Sequence, residues 1–231
     1  MIWGYESALT IILAVIAFLV TVGAQININF TYDKYRKVRN KKGYTGQEVA
    51  RKILDANGLK DIYVVEVKGK LTDHYDPSRK VVRLSSDIFN GDSIASASVA
   101  AHECGHAIQD DTGYKFMKIR SFLVPVVNFI SYLGYFSLII SIIAGATGYI
   151  KLCLLILVAT LVFQLVTLPV EFDASKRAGI QLAKLNLLDN NELPQSKKVL
   201  TSAALTYVAA LASTVIDILR LLVMLAEHDD R

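Results

Sequence analysis

Hydrophobic and polar positions divide the 231-residue chain into four long apolar runs and one mixed stretch. Residues Ser7 to Phe30, Ser121 to Ile150 and Leu152 to Val170 carry no formal charge. A fourth apolar run, Val199 to Ala226, contains only Asp217 and Arg220, spaced i,i+3 and able to pair on a helix. A helix crosses a bilayer in about 20 apolar residues, so each run predicts a membrane span. The second and third runs, broken by the Gly145-Ala146-Thr147-Gly148 stretch and Lys151, read as a transmembrane hairpin. The fourth reads as a span with an internal ion pair, or as a helix lying partly on the soluble part.

From Tyr44 to Gln109 the pattern is that of a soluble fold. Thr45-Gly46-Gln47-Glu48 is a capping box, which opens a helix from Gln47 to Ala56 with Val49, Ile53 and Leu54 on one side. Asn57-Gly58 stops it. Ile62 to Val67 and Lys80 to Leu84 are β-rich, with a turn at Lys68-Gly69-Lys70. Between the strands lies a partly extended Leu71-Thr72-Asp73-His74-Tyr75-Asp76-Pro77. These strands form either an ordinary hairpin or a small sheet whose edge can pair with an extended peptide. A further helix starts near Asp92 or Ser93, either able to act as N-cap, and runs through small and apolar residues to Gln109. The predicted fold class is therefore α+β, about four transmembrane helices with a soluble part of helices and a small sheet. Its expected segments are an anchor (1–30), a soluble part (31–120), a transmembrane hairpin (121–170), a helix and loop (171–198) and a last membrane helix (199–231). No internal repeat or low-complexity segment interrupts them.

Composition agrees with the membrane reading: 53% of residues are hydrophobic, above the ~45–50% of soluble domains. The formal net charge of +4 does not imply nucleic acid, because the basic residues cluster at the ends of apolar runs. Lys34, Arg36, Lys37, Arg39, Lys41 and Lys42 follow the first run; Lys115, Lys118 and Arg120 precede the second; Lys176, Arg177, Lys184, Lys197 and Lys198 lie between the third and fourth. The positive-inside rule places all of these on the cytoplasmic side. Glu6, with no Lys or Arg, precedes the first run, which favours a retained anchor over a cleaved signal peptide. The two cysteines, Cys104 and Cys153, suggest reduced thiols and no disulfide framework.

One stretch carries chemistry. His102-Glu103-Cys104-Gly105-His106 is an H-E-x-x-H pattern containing two of the four histidines; the others are His74 and His228. On a helix His102 and His106 stand one turn apart on one face and can share a Zn²⁺ ion. Glu103 is placed to act as general base toward a metal-activated water. The longer H-E-x-x-H-x-x-G-x-x-H pattern is absent, since Gln109 and Thr112 stand where its Gly and His would be, and Asp110 is aimed along its own helix. A third ligand should come from elsewhere. The hairpin returns Pro169-Val170-Glu171-Phe172-Asp173-Ala174-Ser175 to the side of the motif, with Glu171 and Asp173 as carboxylates.

These three stretches, at 102–109, 71–77 and 169–175, resemble the bacterial YugP-like family of membrane neutral zinc metallopeptidases along nearly the whole chain. More distantly the sequence is similar to gluzincin integral membrane proteases, which carry H-E-x-x-H followed, after membrane helices, by E-x-x-x-D. The resemblance implies His102, His106 and Glu171 as metal ligands and Glu103 as the catalytic base. Ser175 stands where those relatives have the Asp that orients a zinc-bound His. Helix geometry agrees if Pro169 starts or kinks a helix there: Glu171 and Ser175 then share a face, with Asp173 about 200° away.

The resemblance implies that the soluble part is a cytoplasmic zincin-like metalloprotease domain, the H-E-x-x-H helix with the small sheet, and that the function is zinc-dependent endopeptidase hydrolysis at the cytoplasmic membrane surface, in the multi-pass cell membrane of a bacterium. Its expected partners are the lipid bilayer and a protein or peptide substrate close to it. His74, Tyr75 and Tyr207 are candidate donors to the oxyanion. A non-proteolytic zinc-binding scaffold or chaperone has no use for Glu103. A metal or ion transporter would want a cluster of ligands inside a span, which no run supplies.

Overall fold

A computed structural model describes residues 8–69, 72–143 and 149–229. The expected turn at 145–148, Lys70 and Leu71 lie outside the described residues. Among the described residues seven helices and three strands follow one another: α1 (Ala8–Tyr35), α2 (Gly46–Ala56), β1 (Tyr63–Val67), β2 (His74–Asp76), β3 (Val81–Ser85), α3 (Ser86–Phe89), α4 (Ile94–Asp111), α5 (Lys115–Ile143), α6 (Tyr149–Lys184) and α7 (Leu193–Asp229). Four of them, α1, α5, α6 and α7, contain stretches long and apolar enough to cross a membrane.

The chain divides into two compact units. The first holds the described residues up to 25, from 119 to 167, and from 206 onward. Its large apolar side chains face outward: Phe18, Leu19, Phe122, Phe129 and Leu155 are all more than 60% exposed. That is costly in water and natural against lipid. Small polar groups join its helices, as Thr21 and Ser213 lie 2.7 Å apart with both hydroxyls donating to the Ala17 carbonyl.

The second unit comprises residues 26–118 and 168–205. Thr45 caps α2 through a full capping box with Glu48, and Gly58, at φ +78°, leaves the helix in a left-handed turn. The buried stripe of α2, Val49, Ala50, Ile53 and Leu54, packs along α4, where Ala97, Ala100, Ala101 and Cys104 offer a low-profile surface. Cys104 donates to the Ala50 carbonyl, and its burial pushes the thiol pKa upward. Both cysteines are free.

The sheet differs from a hairpin. Its order is β1-β3-β2, with β1 parallel to β3 and β2 antiparallel to it. The stretch expected to be only partly extended supplies a strand, and the tight turn lies between β2 and β3. Asp76 builds that turn by accepting from the Ser78 and Arg79 amides and the Ser78 hydroxyl. Asp73 pins the other end, accepting from both the amide and hydroxyl of Ser85. These local bonds made the inserted strand invisible to a search for alternating apolar residues.

α4 starts at Ser93, whose hydroxyl accepts from the Ser96 amide. α6 runs unbroken through Pro169, which therefore does not start a helix. The missing Pro N–H removes one ladder bond without ending the helix, because buried Val170, Ala174, Ala178 and Leu182 hold the turns that follow.

Candidate metal centre

Two helices of the second unit build the site. α4 carries His102 and His106 on one face, their ring centroids 4.7 Å apart and nearly perpendicular. α6 brings Glu171 against them. Its carboxylate Oε2 lies 3.2 Å from His102 Nε2 and 3.7 Å from His106 Nε2, and it is almost fully buried.

The close approach of the helices has a specific cause. A Cβ at Gly105 would lie 2.5 Å from the Ala174 carbonyl oxygen and 3.1 Å from Ala174 Cα. These are backbone atoms and cannot swing away, so only glycine allows Ala174 to sit against this turn. Gly105→Ala should therefore force the helices apart, carrying Glu171 and Ser175 away from the histidines. Overpacking costs about 1–3 kcal/mol, more than the roughly 0.5–1 kcal/mol that Ala gains in helix propensity. We expect a lower unfolding midpoint and weaker zinc binding; a variant matching the wild type in both would disprove the close contact.

The donors suit zinc. Nitrogen and carboxylate ligands at about 2.0–2.1 Å in a tetrahedron stand about 3.3 Å from one another. The two histidine-to-carboxylate distances above bracket that spacing, and all three donor atoms lie within 4.8 Å of one another. A buried carboxylate beside two imidazoles is a donor set whose chemistry suits a divalent cation.

Further contacts hold these side chains. His102 Nδ1 lies 3.2 Å from the Ser175 hydroxyl, so Glu171 and Ser175 both lie against the histidine-bearing side of α4. His106 Nδ1 lies 3.0 Å from Gln109 Oε1. Gln109, wholly buried, donates its amide protons to the Val170 carbonyl at 2.8 Å and to Asp173 Oδ2 at 2.9 Å. Asp173 was expected to point away from the site; it reaches the site through Gln109, whose long side chain spans the gap. Asp173 also accepts from Arg177 at 2.5 Å, and the Arg177 guanidinium lies over the Tyr114 ring. Sequence reasoning missed Gln109 and Gly105. Gln109 sits three residues past His106, on the same helical face, which was the available signal.

Glu103 is 7% exposed and beside His102. Burial, chiefly, raises its carboxyl pKa to about 7; His102 opposes this and Glu171 adds to it. It accepts a backbone hydrogen bond from Tyr75. The Tyr75 hydroxyl donates to Asp110 at 2.9 Å, and burial together with that carboxylate pushes its pKa up. His74 is exposed, with Nδ1 2.7 Å from the Thr72 carbonyl oxygen. Tyr207 belongs to the other compact unit.

Comparison with known proteins follows this geometry. Residues 10–226 match the family described as "Putative neutral zinc metallopeptidase". The chain is 42% identical over 222 residues to the "Putative membrane protease YugP" of Bacillus subtilis (strain 168), covering 96% of this chain and 99% of that protein. No solved structure matches the chain.

Proposed function

Because the chain belongs to the neutral zinc metallopeptidase family, we propose that it is an integral-membrane endopeptidase acting at the cytoplasmic membrane surface. The observation that carries this reading is the convergence of His102, His106 and Glu171 beside the buried carboxyl of Glu103. His102, His106 and Glu171 would hold the metal. Zinc, when bound there, supplies Lewis acidity and lowers the pKa of a coordinated water.

The remaining work falls to this chain's residues. Glu103, held by the Tyr75 N–H, accepts a proton from the attacking water and returns it to the leaving amine. A carboxylate does both steps in turn, accepting the proton as base and, once protonated, donating it as acid. A substrate strand would lie along the free edge of β2. β2 is the outer strand of the sheet and carries Tyr75, a neighbour of Glu103, so a peptide paired there would pass near the base. A scaffold would need the histidines and Glu171 but gives no use to Glu103 in this position.

Zinc content measured together with hydrolysis of an unstructured protein substrate tests the reading. We expect about one zinc per chain and turnover lost on chelation; turnover by metal-free protein would overturn it. The cytoplasmic orientation is tested with single cysteines at Lys41 or Lys118 in a Cys104→Ala, Cys153→Ala background. An impermeant thiol reagent should not reach them in intact cells, and labelling of either from outside would reverse the orientation.

A further inference from the structure

We infer that Gln109 is a positioning residue for His106, fixing which imidazole nitrogen faces the metal and clamping the two ligand-bearing helices together. This rests on the zinc-ligand reading above.

The argument is one of hydrogen-bond accounting. A primary amide has two N–H donors and one oxygen acceptor, and its two ends look alike in shape. Here both neighbours of the Gln109 nitrogen are acceptors only. The Val170 carbonyl is one, and the Asp173 carboxylate, held by Arg177, is the other. Turning the amide around would set its oxygen against two oxygens in a dry site. The oxygen must therefore face His106, 3.0 Å from Nδ1. An oxygen can only accept, so Nδ1 carries the hydrogen. That leaves Nε2, on the Glu171 side of the ring, as the nitrogen with a lone pair for a metal.

The same side chain ties α4 to α6. Its partners Val170 and Asp173 flank Glu171, so the amide that holds His106 also sets the position of the carboxylate. The Tyr114 amide donates to the Gln109 carbonyl, and the Tyr114 ring lies under Arg177. The network is closed: Tyr114, Gln109, Asp173 and Arg177 each hold the next. His102 has a looser holder. The Ser175 hydroxyl can donate or accept and rotates freely, whereas the Gln109 amide has one satisfied orientation.

The test compares zinc affinity, by chelator competition, in the full-length protein and two variants. Gln109→Leu keeps the bulk and removes the polar contacts; affinity should fall ~10–100-fold. Gln109→Glu keeps an acceptor toward His106 and, as the carboxylic acid, one O–H donor toward Val170 or Asp173. Its affinity should stay well above that of Gln109→Leu. A packing role gives the opposite order, because a dry site tolerates Leu better than Glu; that order would overturn the inference. NMR of the zinc-loaded wild type supplies a measurement that needs no variant. The His106 Nδ1–H should exchange with solvent far more slowly than that of the exposed His74. Equal exchange would overturn the assignment even if Gln109→Leu failed to fold. A wild type that bound no zinc would instead sink the peptidase reading, whereas wild-type affinity in Gln109→Leu would sink only the role of Gln109.

Discussion

Glu103→Gln should retain zinc and the folded state while losing turnover by ~10²–10⁴-fold or more. The amide has nearly the shape of the carboxylate, so the packing around a residue only 7% exposed is kept. It cannot take a proton from water. Nor does it disturb the donors, since Glu103 is not among the three groups whose ligand atoms converge. Burial already holds the Glu103 carboxyl near pKa 7, so a neutral side chain at this position is no burden to the metal-free fold. The measurement is hydrolysis of a casein-like substrate beside zinc content in the same preparation. An active variant with full zinc would remove the general base from the mechanism. An inactive variant that had also lost its zinc would show that Glu103 supports the metal, which its position beside His102 does not suggest.

Much of this site could be read before the fold was known, and the reason is local. The spacing of His102, Glu103 and His106 acts within one turn of one helix, and helix geometry converts it directly into a shared face. The four apolar runs were equally legible, because length and absence of charge are all that a span requires. Features that depend on two distant segments were harder. The parallel pairing of β1 with β3 needs β2 inserted as a third strand, and only Asp73 and Asp76, which fix its ends, distinguish that stretch from a loop. The reach of Gln109 across to Val170 and Asp173 spans more than sixty positions. Its sequence signal, a polar residue three positions after His106, fits a solvated helix end just as well. Gly105 occupies an unspecified position of the H-E-x-x-H pattern, and only the backbone of Ala174 against it reveals why no side chain fits.

Loss of Glu171 should empty the site, and loss of Asp173 should only weaken it. Glu171→Ala leaves two imidazoles on one helix and removes the carboxylate oxygen whose distances to them suit a tetrahedral zinc. The effect should exceed the ~10–100-fold expected from removing an outer hydrogen bond, and activity should vanish with the metal. Metal-free Glu171→Ala should still fold, because the substitution removes a buried charge and leaves a small cavity on a helix anchored along its length. Asp173→Ala acts one step further out. It deprives Gln109 of one acceptor and Arg177 of its partner, while the Val170 carbonyl still orients the amide. Zinc affinity should therefore fall in the order wild type, Asp173→Ala, Glu171→Ala, with Ser175→Ala, which frees His102 Nδ1 from its hydroxyl, near Asp173→Ala. Equilibrium dialysis of the four proteins against buffered zinc reads this order directly. Full occupancy in Glu171→Ala beside an empty site in Asp173→Ala would exchange the roles of the two carboxylates.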